Sequence, residues 1–200
     1  MARVFKNAGD FFGRRSPVHL AAEALARRLG ELQAPFVVTG GFALGGYGYE
    51  RMTDDIDIVV REQDWRRFKE RWVGLGYREK FQGSKAVIDT ENDVKIPVLF
   101  VGGFPGDGKP KPVAFPDPTD AEVVVASGAF PVVSLEMLIQ LKIASGKTAP
   151  GRQLRDYGDV VELIRCNTLS ASFAERLDPY VREEFLHLHR IAGEPADLDE

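Results

Sequence analysis

Cysteine is nearly missing from this sequence of 200 residues, since Cys166 is its one cysteine. An intramolecular disulfide is therefore excluded, and so are zinc sites built from several cysteines. The three histidines form no recognisable catalytic triad. Long apolar runs are also missing, so we expect neither a membrane-spanning helix nor a signal peptide. We accordingly expect a soluble protein of the reducing cytoplasm.

An excess of positive charge is lacking too. The chain has 26 Lys and Arg against 30 Asp and Glu, a formal net charge of −4. This balance argues against a generally basic surface for nucleic acid, although it does not exclude a local patch. Hydrophobic residues make up 44% and charged residues 28%, which is enough to bury the core of one ordinary domain.

Three familiar motifs are absent. The run GGFALGGYG contains no G-x-G-x-x-G, so dinucleotide binding is not predicted. No G-x-S-x-G occurs either. Ser145-Gly146-Lys147-Thr148 resembles the end of a phosphate-binding P-loop, but that motif needs a glycine at Leu141 and a strand before the loop. The pattern predicts a helix there instead.

One stretch, FVVTGGFALGGYGYERMTDDIDIVVR, stands out in this sequence. It predicts a strand, a Gly-Gly pair, a short turn or helix, and a second strand carrying Asp55 and Asp57. Because side chains alternate across a strand, these two carboxylates leave the same face. They repel each other and lose solvation, and a divalent cation removes both problems. Hard oxygen ligands of this kind suit Mg²⁺ or Mn²⁺.

The glycine pair, Gly40 and Gly41, supplies the second half of the predicted site. A residue without Cβ lets the backbone approach a phosphate closely and adopt φ angles that other residues avoid. Amides at the start of the following helix would then face an anion. Glycines for a phosphate beside carboxylates for a metal predict a nucleotide site; the alternative is a glycine-rich turn before solvent-facing aspartates.

Taken in this order, the motifs resemble the signature of the nucleotidyltransferase (polymerase-β-like) superfamily. The run Arg51-Met52-Thr53-Asp54 further resembles the AbiEii-type branch, the type IV toxin nucleotidyltransferases. The resemblance implies that Asp55 and Asp57 bind the metal and take part in catalysis. It also implies that the nucleotide is bound by Gly40, Gly41, Arg51 and Thr53.

The sequence departs from this family at one position. Family members commonly carry a third carboxylate on the following strand, and the matching place here is near Pro97. Proline cannot ligate a metal, and it removes a donor from the ladder of strand hydrogen bonds. Asp89 and Asp93 are the alternatives for this role.

Lys142 is predicted on the same helical stripe as three large apolar residues, Leu135, Leu138 and Ile139. Its ammonium group either extends to solvent or points into the cleft, where a triphosphate would pair with it. The family resemblance favours the cleft and adds Asp156, on the next helix, as a catalytic residue. Arg152 and Asp156 are four residues apart, which also fits an ordinary surface ion pair.

The remaining pattern predicts an α+β fold, a nucleotidyltransferase-like mixed β-sheet packed against helices with a C-terminal helical part. Residues 1–133 form the predicted core and 134–200 the helical part, as one continuous unit. Predicted strands include Lys85–Thr90, Val94–Val101, Glu122–Ala126 and Pro131–Val133. Predicted helices begin at Ser16-Pro17, Glu62, Ser134-Leu135 and Asp178-Pro179, and another carries GRQLRDYGDVVELIR.

The sequence also predicts two apolar helical faces and one long loop. Trp65, Phe68, Trp72 and Leu75 recur as one apolar face, and Leu154, Tyr157, Val161 and Ile164 as another. The long glycine- and proline-rich loop from Gly102 to Pro118 contains Lys109 and Lys111. We interpret these lysines as solvated, with contact to a polyphosphate or an RNA backbone as the alternative.

The resemblance implies an enzyme that transfers a nucleoside monophosphate from an NTP to a hydroxyl, with Mg²⁺ or Mn²⁺ as cofactor. The acceptor would be tRNA, another RNA or a small molecule, and an antitoxin protein would be a partner of the toxin relatives. A catalytically degenerate module that binds nucleotide or protein is the main alternative. A glycosyltransferase with an Asp-x-Asp metal site leaves the double glycine unexplained.

Overall fold

The computed structural model describes residues 16–127 and 130–194. The helices in these ranges are α1 (Pro17–Glu31), α2 (Glu62–Trp72), α3 (Leu135–Thr148), α4 (Pro150–Cys166), α5 (Pro179–Gly193) and the 3₁₀ helices Phe42–Tyr47 and Ala171–Arg176. The strands are β1 (Phe36–Thr39), β2 (Asp57–Val60), β3 (Tyr77–Glu79), β4 (Val87–Asp89), β5 (Val94–Ile96), β6 (Val98–Phe100), β7 (Val124–Ser127) and β8 (Phe130–Val133). No helix in the described ranges has the length and hydropathy needed to cross a bilayer. The ends of the two predicted regions, residues 1–15 and 195–200, lie outside the described residues.

Five strands form one mixed sheet in the order β6-β2-β1-β8-β7. Strand β1 pairs antiparallel with β2 and parallel with β8, and β2 pairs parallel with β6. Strands β3, β4 and β5 form a separate antiparallel sheet. The predicted α+β class, a mixed sheet packed against helices, is confirmed.

The central strand β1 explains why the sequence before the glycine pair is continuously apolar. All four of its residues are buried, because a strand pairs with β1 on each side and both faces of the sheet are covered. Its last residue, Thr39, pairs with Asp57, the first residue of β2. This register puts the Gly-Gly turn directly beside the acidic strand.

Side-chain caps fix the starts of three helices. Ser16 accepts a hydrogen bond from the backbone N–H of His19, Ser134 from that of Met137, and Asp178 from that of Tyr180. Each cap satisfies an N–H that the first helical turn leaves unpaired. The predicted starts of α1, α3 and α5 are confirmed.

A one-residue corner separates α3 from α4. Ala149 ends the first helix and begins the second, with φ −129° and ψ 89°. Pro150 enforces this corner, because proline disfavours a helical conformation in the residue before it and has no N–H to continue the ladder. Helix α4 therefore folds back along α3, which brings their polar side chains together.

The predicted single strand Val94–Val101 is wrong in its continuity. The chain forms β5 in the small sheet and β6 at the edge of the large one, with Pro97 between them. The proline has no N–H to donate, but its carbonyl oxygen still accepts a hydrogen bond from the Ile58 N–H at 3.2 Å. The break therefore permits one segment to serve two sheets.

Two predicted apolar positions are also wrong. Leu154 is 90% exposed, because the buried face of α4 is completed by Asp156 and Asp159 rather than by leucine. Leu75 is 56% exposed, since α2 ends at Trp72. Hydrophobicity alone therefore predicts the buried face of α4 incorrectly, because two of the buried residues on that face are charged.

Candidate active site

The Gly40-Gly41 turn lies against the acidic strand. Gly40 has φ +68°, and a Cβ at this position would lie 2.1 Å from Oδ2 of Asp57. At Gly41 a Cβ would lie 3.0 Å from Nη2 of Arg51. Both glycines are therefore needed for close approach, and Gly40 also for its left-handed backbone conformation. The helix that follows, Phe42–Tyr47, is a short 3₁₀ helix.

Asp55 and Asp57 both line one cleft, and the intervening Ile56 is completely buried. Burial first, and the charge of Asp55 second, raise the pKa of Asp57 from the ordinary value of 3.8 to about 6. The positive charges of Arg152 and Lys142 oppose this rise. Folding therefore holds a carboxylate where its ionised form is disfavoured.

Thr53 fixes the first member of the pair. Its hydroxyl donates to Oδ1 of Asp55 at 3.0 Å. Among residues 16–127 and 130–194 the carboxylate of Asp57 has no hydrogen-bond donor. Two adjacent hard oxygen ligands, one of them without a partner, form a donor set that fits Mg²⁺ or Mn²⁺.

A buried ion network forms the floor of the cleft. Lys142 Nζ lies 2.6 Å from Oδ2 of Asp159 and 3.5 Å from Oδ1 of Asp156. Arg51 donates to both oxygens of Asp159, from Nε at 2.7 Å and from Nη2 at 3.0 Å. Burial alone would raise the pKa of Asp159, but the hydrogen bond from Arg51 and the charge of Lys142 lower it. Asp159 therefore stays ionised and links the two cations.

Lys142 points into the cleft and does not reach past it to solvent, since only 5% of the residue is exposed. Asp156 is 2% exposed, so the alternative of an ordinary surface ion pair with Arg152 does not describe it. The guanidinium Nε of Arg152 lies 3.5 Å from Oδ2 of Asp156, and its side chain is 61% exposed. Arg152 thus covers the cleft from the solvent side.

The sequence predicts no site role for two participants in this network, and for Arg152 only a surface ion pair with Asp156. Asp159 and Arg152 were both visible in the run GRQLRDYGDVVELIR. The signal for Asp159 was its spacing of three residues from Asp156, which puts both on one helical face. Its bonds to Arg51 join residues 108 positions apart and could not be read from local spacing.

The third carboxylate of the family pattern is missing from its expected strand. Asp55 is bridged to Lys95 and Ile58 pairs with Val98, so Pro97 lies level with Asp57. The described residues contain no cluster of three or more acidic, histidine or cysteine side chains suited to a metal.

Neither alternative carboxylate takes this place. Asp89 lies in the small sheet, where it accepts hydrogen bonds from the backbone N–H groups of Glu91 and Asn92. Asp93 is exposed in the adjacent turn with φ +55°. Both aspartates therefore serve the turn between β4 and β5.

Two adjoining cavities meet at the acidic strand and the buried ion network. The polar one contains Asp55 and the loop from Arg51 to Asp54. The second extends toward β6 and the loop of residues 102–118. Both are lined by Asp57, Lys142, Arg152 and Asp156.

The fold has a clear counterpart among solved structures. It overlaps with ANT(2″)-Ia, in a crystal structure with adenylyl-2″-tobramycin, at a TM-score of 0.50 and 15% identity over 82% of this chain and 97% of that one. The fold is nucleotidyltransferase-like. The predicted fold is thereby confirmed, whereas the AbiEii branch stays a prediction.

Two other solved structures are similar at lower TM-scores. They are candidate nucleotidyltransferases from Thermotoga maritima (TM-score 0.46, 20% identity, 70% of this chain and 91% of that one) and from H. pylori (0.47, 15%, 86% and 91%). No protein-family model and no curated protein sequence matches the chain.

Proposed function

We propose that this chain is a divalent-metal-dependent nucleotidyltransferase that transfers a nucleoside monophosphate from an NTP to a hydroxyl acceptor and releases pyrophosphate. One arrangement carries the proposal. Asp55 and Asp57 face a cleft beside the Gly40-Gly41 turn, and Lys142 and Arg152 line the same cleft. A fold similar to that of ANT(2″)-Ia supports this interpretation.

Asp55 and Asp57 would hold the cation, Mg²⁺ or Mn²⁺. When bound, such a cation neutralises phosphate oxygens and stabilises the charge that develops during phosphoryl transfer. The ligating form of Asp57 is the carboxylate. Because its pKa is raised to about 6, we expect metal affinity to fall as the pH drops below that value.

The other side chains would position the triphosphate. Gly40 and Gly41 leave open backbone beside Asp57, while Thr53 orients Asp55. Lys142 is a fixed cation, because Asp159 holds its ammonium group and Arg51 holds Asp159. A charge fixed before the substrate arrives needs little reorganisation to pair with it.

Asp156 would accept the proton of the attacking hydroxyl. It lines both cavities, and its Oδ2 atom is buried without a hydrogen-bond partner among the described residues. A carboxylate oxygen without a hydrogen-bond partner would accept this proton once the substrate hydroxyl reaches it. Arg152, on the solvent side, would help to retain the released pyrophosphate.

The acceptor and the biological role are proposed from resemblance. The run Arg51–Asp54, similar to AbiEii-type toxins, supports an RNA acceptor such as tRNA and an antitoxin partner. The adenylyl-2″-tobramycin bound to ANT(2″)-Ia supports a small-molecule acceptor on the same fold. Both acceptors present a hydroxyl to the same reaction.

One observation favours a second candidate function. Pro97 stands level with Asp57 where the family pattern has a carboxylate, and Leu99 next along β6 lines the cavity. A chain that had lost catalysis would retain nucleotide binding, or binding of a protein partner, at this cleft. The two candidates differ in turnover and not in fold.

A transfer assay tests the proposal. The protein is incubated with labelled NTPs, Mg²⁺ and either total RNA or aminoglycosides, and label in the acceptor is measured. We expect transfer by the native protein and by Asp93→Asn, whose exposed side chain lies outside the cleft, but none by Asp57→Asn. NTP binding without transfer to any acceptor would contradict the enzyme and support the binding module.

A further inference from the structure

The second cavity has a different character from the charged cleft. It lies between β6, α3 and the loop of residues 102–118. Four charged residues of its lining are shared with the cleft, and the other side of the cavity is apolar, formed by Leu99, Phe104, Pro105, Phe115, Leu138 and Leu141. The apolar side offers a triphosphate no polar partner, so this part of the cavity suits another group.

The loop that closes this cavity is held in place. The ammonium group of Lys111 lies 2.6 Å from the Pro105 carbonyl oxygen, 2.6 Å from Oδ1 of Asp107 and 3.3 Å from Oγ1 of Thr148 on α3. Its side chain is 5% exposed, so the interpretation of Lys111 as solvated or phosphate-binding is wrong. The lysine instead ties the loop to the end of α3.

The backbone of Phe115 is fixed at the base of the same loop, which limits where its ring can lie. Its N–H donates to the Gly103 carbonyl oxygen at 2.8 Å, and its own carbonyl oxygen accepts from the Gly102 N–H at 2.9 Å. The ring lines the cavity and is half-buried. A pre-positioned aromatic ring binds a flat ligand with little loss of entropy.

One residue that lines the cavity carries a buried hydroxyl group without a hydrogen-bond partner. Ser145 is 6% exposed and lines this cavity from α3, and its Oγ atom has no hydrogen-bond partner within the described ranges. Buried hydroxyl groups are nearly always satisfied, and an unsatisfied one costs stability. A ligand with a ring nitrogen or an exocyclic oxygen or amine would satisfy it.

We infer that this pocket holds the nucleobase of the bound NTP. The inference rests on the proposed function. Flat, uncharged and polar only at its edge, a nucleobase matches the apolar side of this pocket, where Phe104 and Phe115 lie. Asp57 and Lys142 lie on the boundary between the two cavities, so a phosphate bound there is one ribose away from the pocket.

The test compares an NTP with its phosphates alone. Binding of nonhydrolysable NTPs and of inorganic tripolyphosphate, each with Mg²⁺, is measured by calorimetry. We expect Phe115→Ala to lower the affinity for the NTPs about tenfold and to leave tripolyphosphate within about twofold. Phe130→Ala, a half-buried phenylalanine outside the pocket, is the matched control and should change neither.

Ser145→Ala tests the hydroxyl group with little risk to folding, because it removes one atom. We expect an NTP affinity about fivefold lower and unchanged tripolyphosphate binding, as for one lost hydrogen bond. Equal losses for NTP and tripolyphosphate, or equal effects of Phe115→Ala and Phe130→Ala, would overturn the inference and leave the proposed function standing.

A failure of the proposed function can be distinguished from a failure of the inferred nucleobase pocket. If the native protein binds neither NTP nor tripolyphosphate, the proposed function fails. The pocket is then titrated with nucleosides alone, and NMR shifts of Ser145 and Leu141 are followed. Shifts that Phe115→Ala abolishes support a nucleobase pocket, whereas no shift at millimolar nucleoside overturns it.

Discussion

Asp57 couples the candidate site to pH. Its pKa is raised to about 6 in the folded chain, against 3.8 ordinarily, so the proton is bound more tightly after folding. The resulting stability is complete below about pH 4 and is lost as the pH rises through 6. We expect Asp57→Asn, which stays neutral, to be more stable than the native protein at pH 8 by roughly 1–3 kcal/mol. Urea unfolding at about pH 8 measures this difference.

The control for this prediction is the same pair of proteins at about pH 4, where the difference should vanish. Asp54→Asn provides a second control, because that side chain is exposed and its removal should change stability little at either pH. An Asp57→Asn protein that is no more stable than the native one at pH 8 would show that folding does not disfavour the carboxylate.

Gly40 is the second residue with a specific consequence. Alanine there would place a methyl group 2.1 Å from Oδ2 of Asp57 in a left-handed conformation. We expect Gly40→Ala to destabilise the protein by about 2–3 kcal/mol in chemical unfolding. Gly30→Ala is the matched control in α1, where a Cβ meets no atom within 4 Å and should stabilise the helix by roughly 0.5–1 kcal/mol. Equal effects of the two substitutions would rule out the close approach.

At the scale of elements, α3 and α4 are joined by charge as well as by packing. Lys142→Met leaves Asp156 and Asp159 buried without their shared cation, so we expect a loss of about 3 kcal/mol in thermal or urea unfolding. Adding Asp159→Asn, which also removes the charge partner of Arg51, should give a total loss that differs from the sum of the single losses, because Lys142 and Asp159 are in contact. Lys109→Met, an exposed lysine, should change stability by less than about 0.5 kcal/mol. A strictly additive double variant would contradict the coupling.

The elements also mark how far the sequence could predict the fold. The central strand, the capped helix starts and the acidic strand follow from local rules of burial, capping and alternation. Leu154 and Val94–Val101 do not, because local patterns assume that buried positions are apolar and that one strand belongs to one sheet. Asp159 breaks the first assumption, and Pro97 the second.

The site shows the same division. The shared face of Asp55 and Asp57 follows from a period of two, whereas the local pattern does not decide whether Lys142 points to solvent or into the cleft. Only the fold of α4 back onto α3 decides it, because the partners of Lys142 lie 14 and 17 residues away. The pocket lined by Phe115 and Ser145 had no sequence signal, since it depends on a loop tied to a distant helix.

For the whole molecule, ligand binding should appear as stability. A ligand at about 100 times its Kd stabilises a fold by about 2.7 kcal/mol, or roughly 5–10 °C in Tm for a chain of this size. We expect this shift with Mg²⁺ and a nonhydrolysable NTP together in the native protein and in Asp93→Asn, an exposed residue outside the cleft. Asp55→Asn should lose the Mg²⁺-dependent part in the same thermal scan. A full shift in Asp55→Asn would contradict metal binding by the acidic pair.

The buried ion network around Asp159 also predicts how the cleft responds to high salt concentration. Roughly 1 M salt shortens the Debye length to about 3 Å and screens charges that water can reach. The Arg61–Asp117 pair, whose side chains are 37% and 34% exposed, belongs to that class. Lys142 and Asp159 are only 6% and 3% exposed, so ions in solution scarcely reach them. The cleft floor should therefore keep its geometry at salt concentrations that loosen the outer ion pairs.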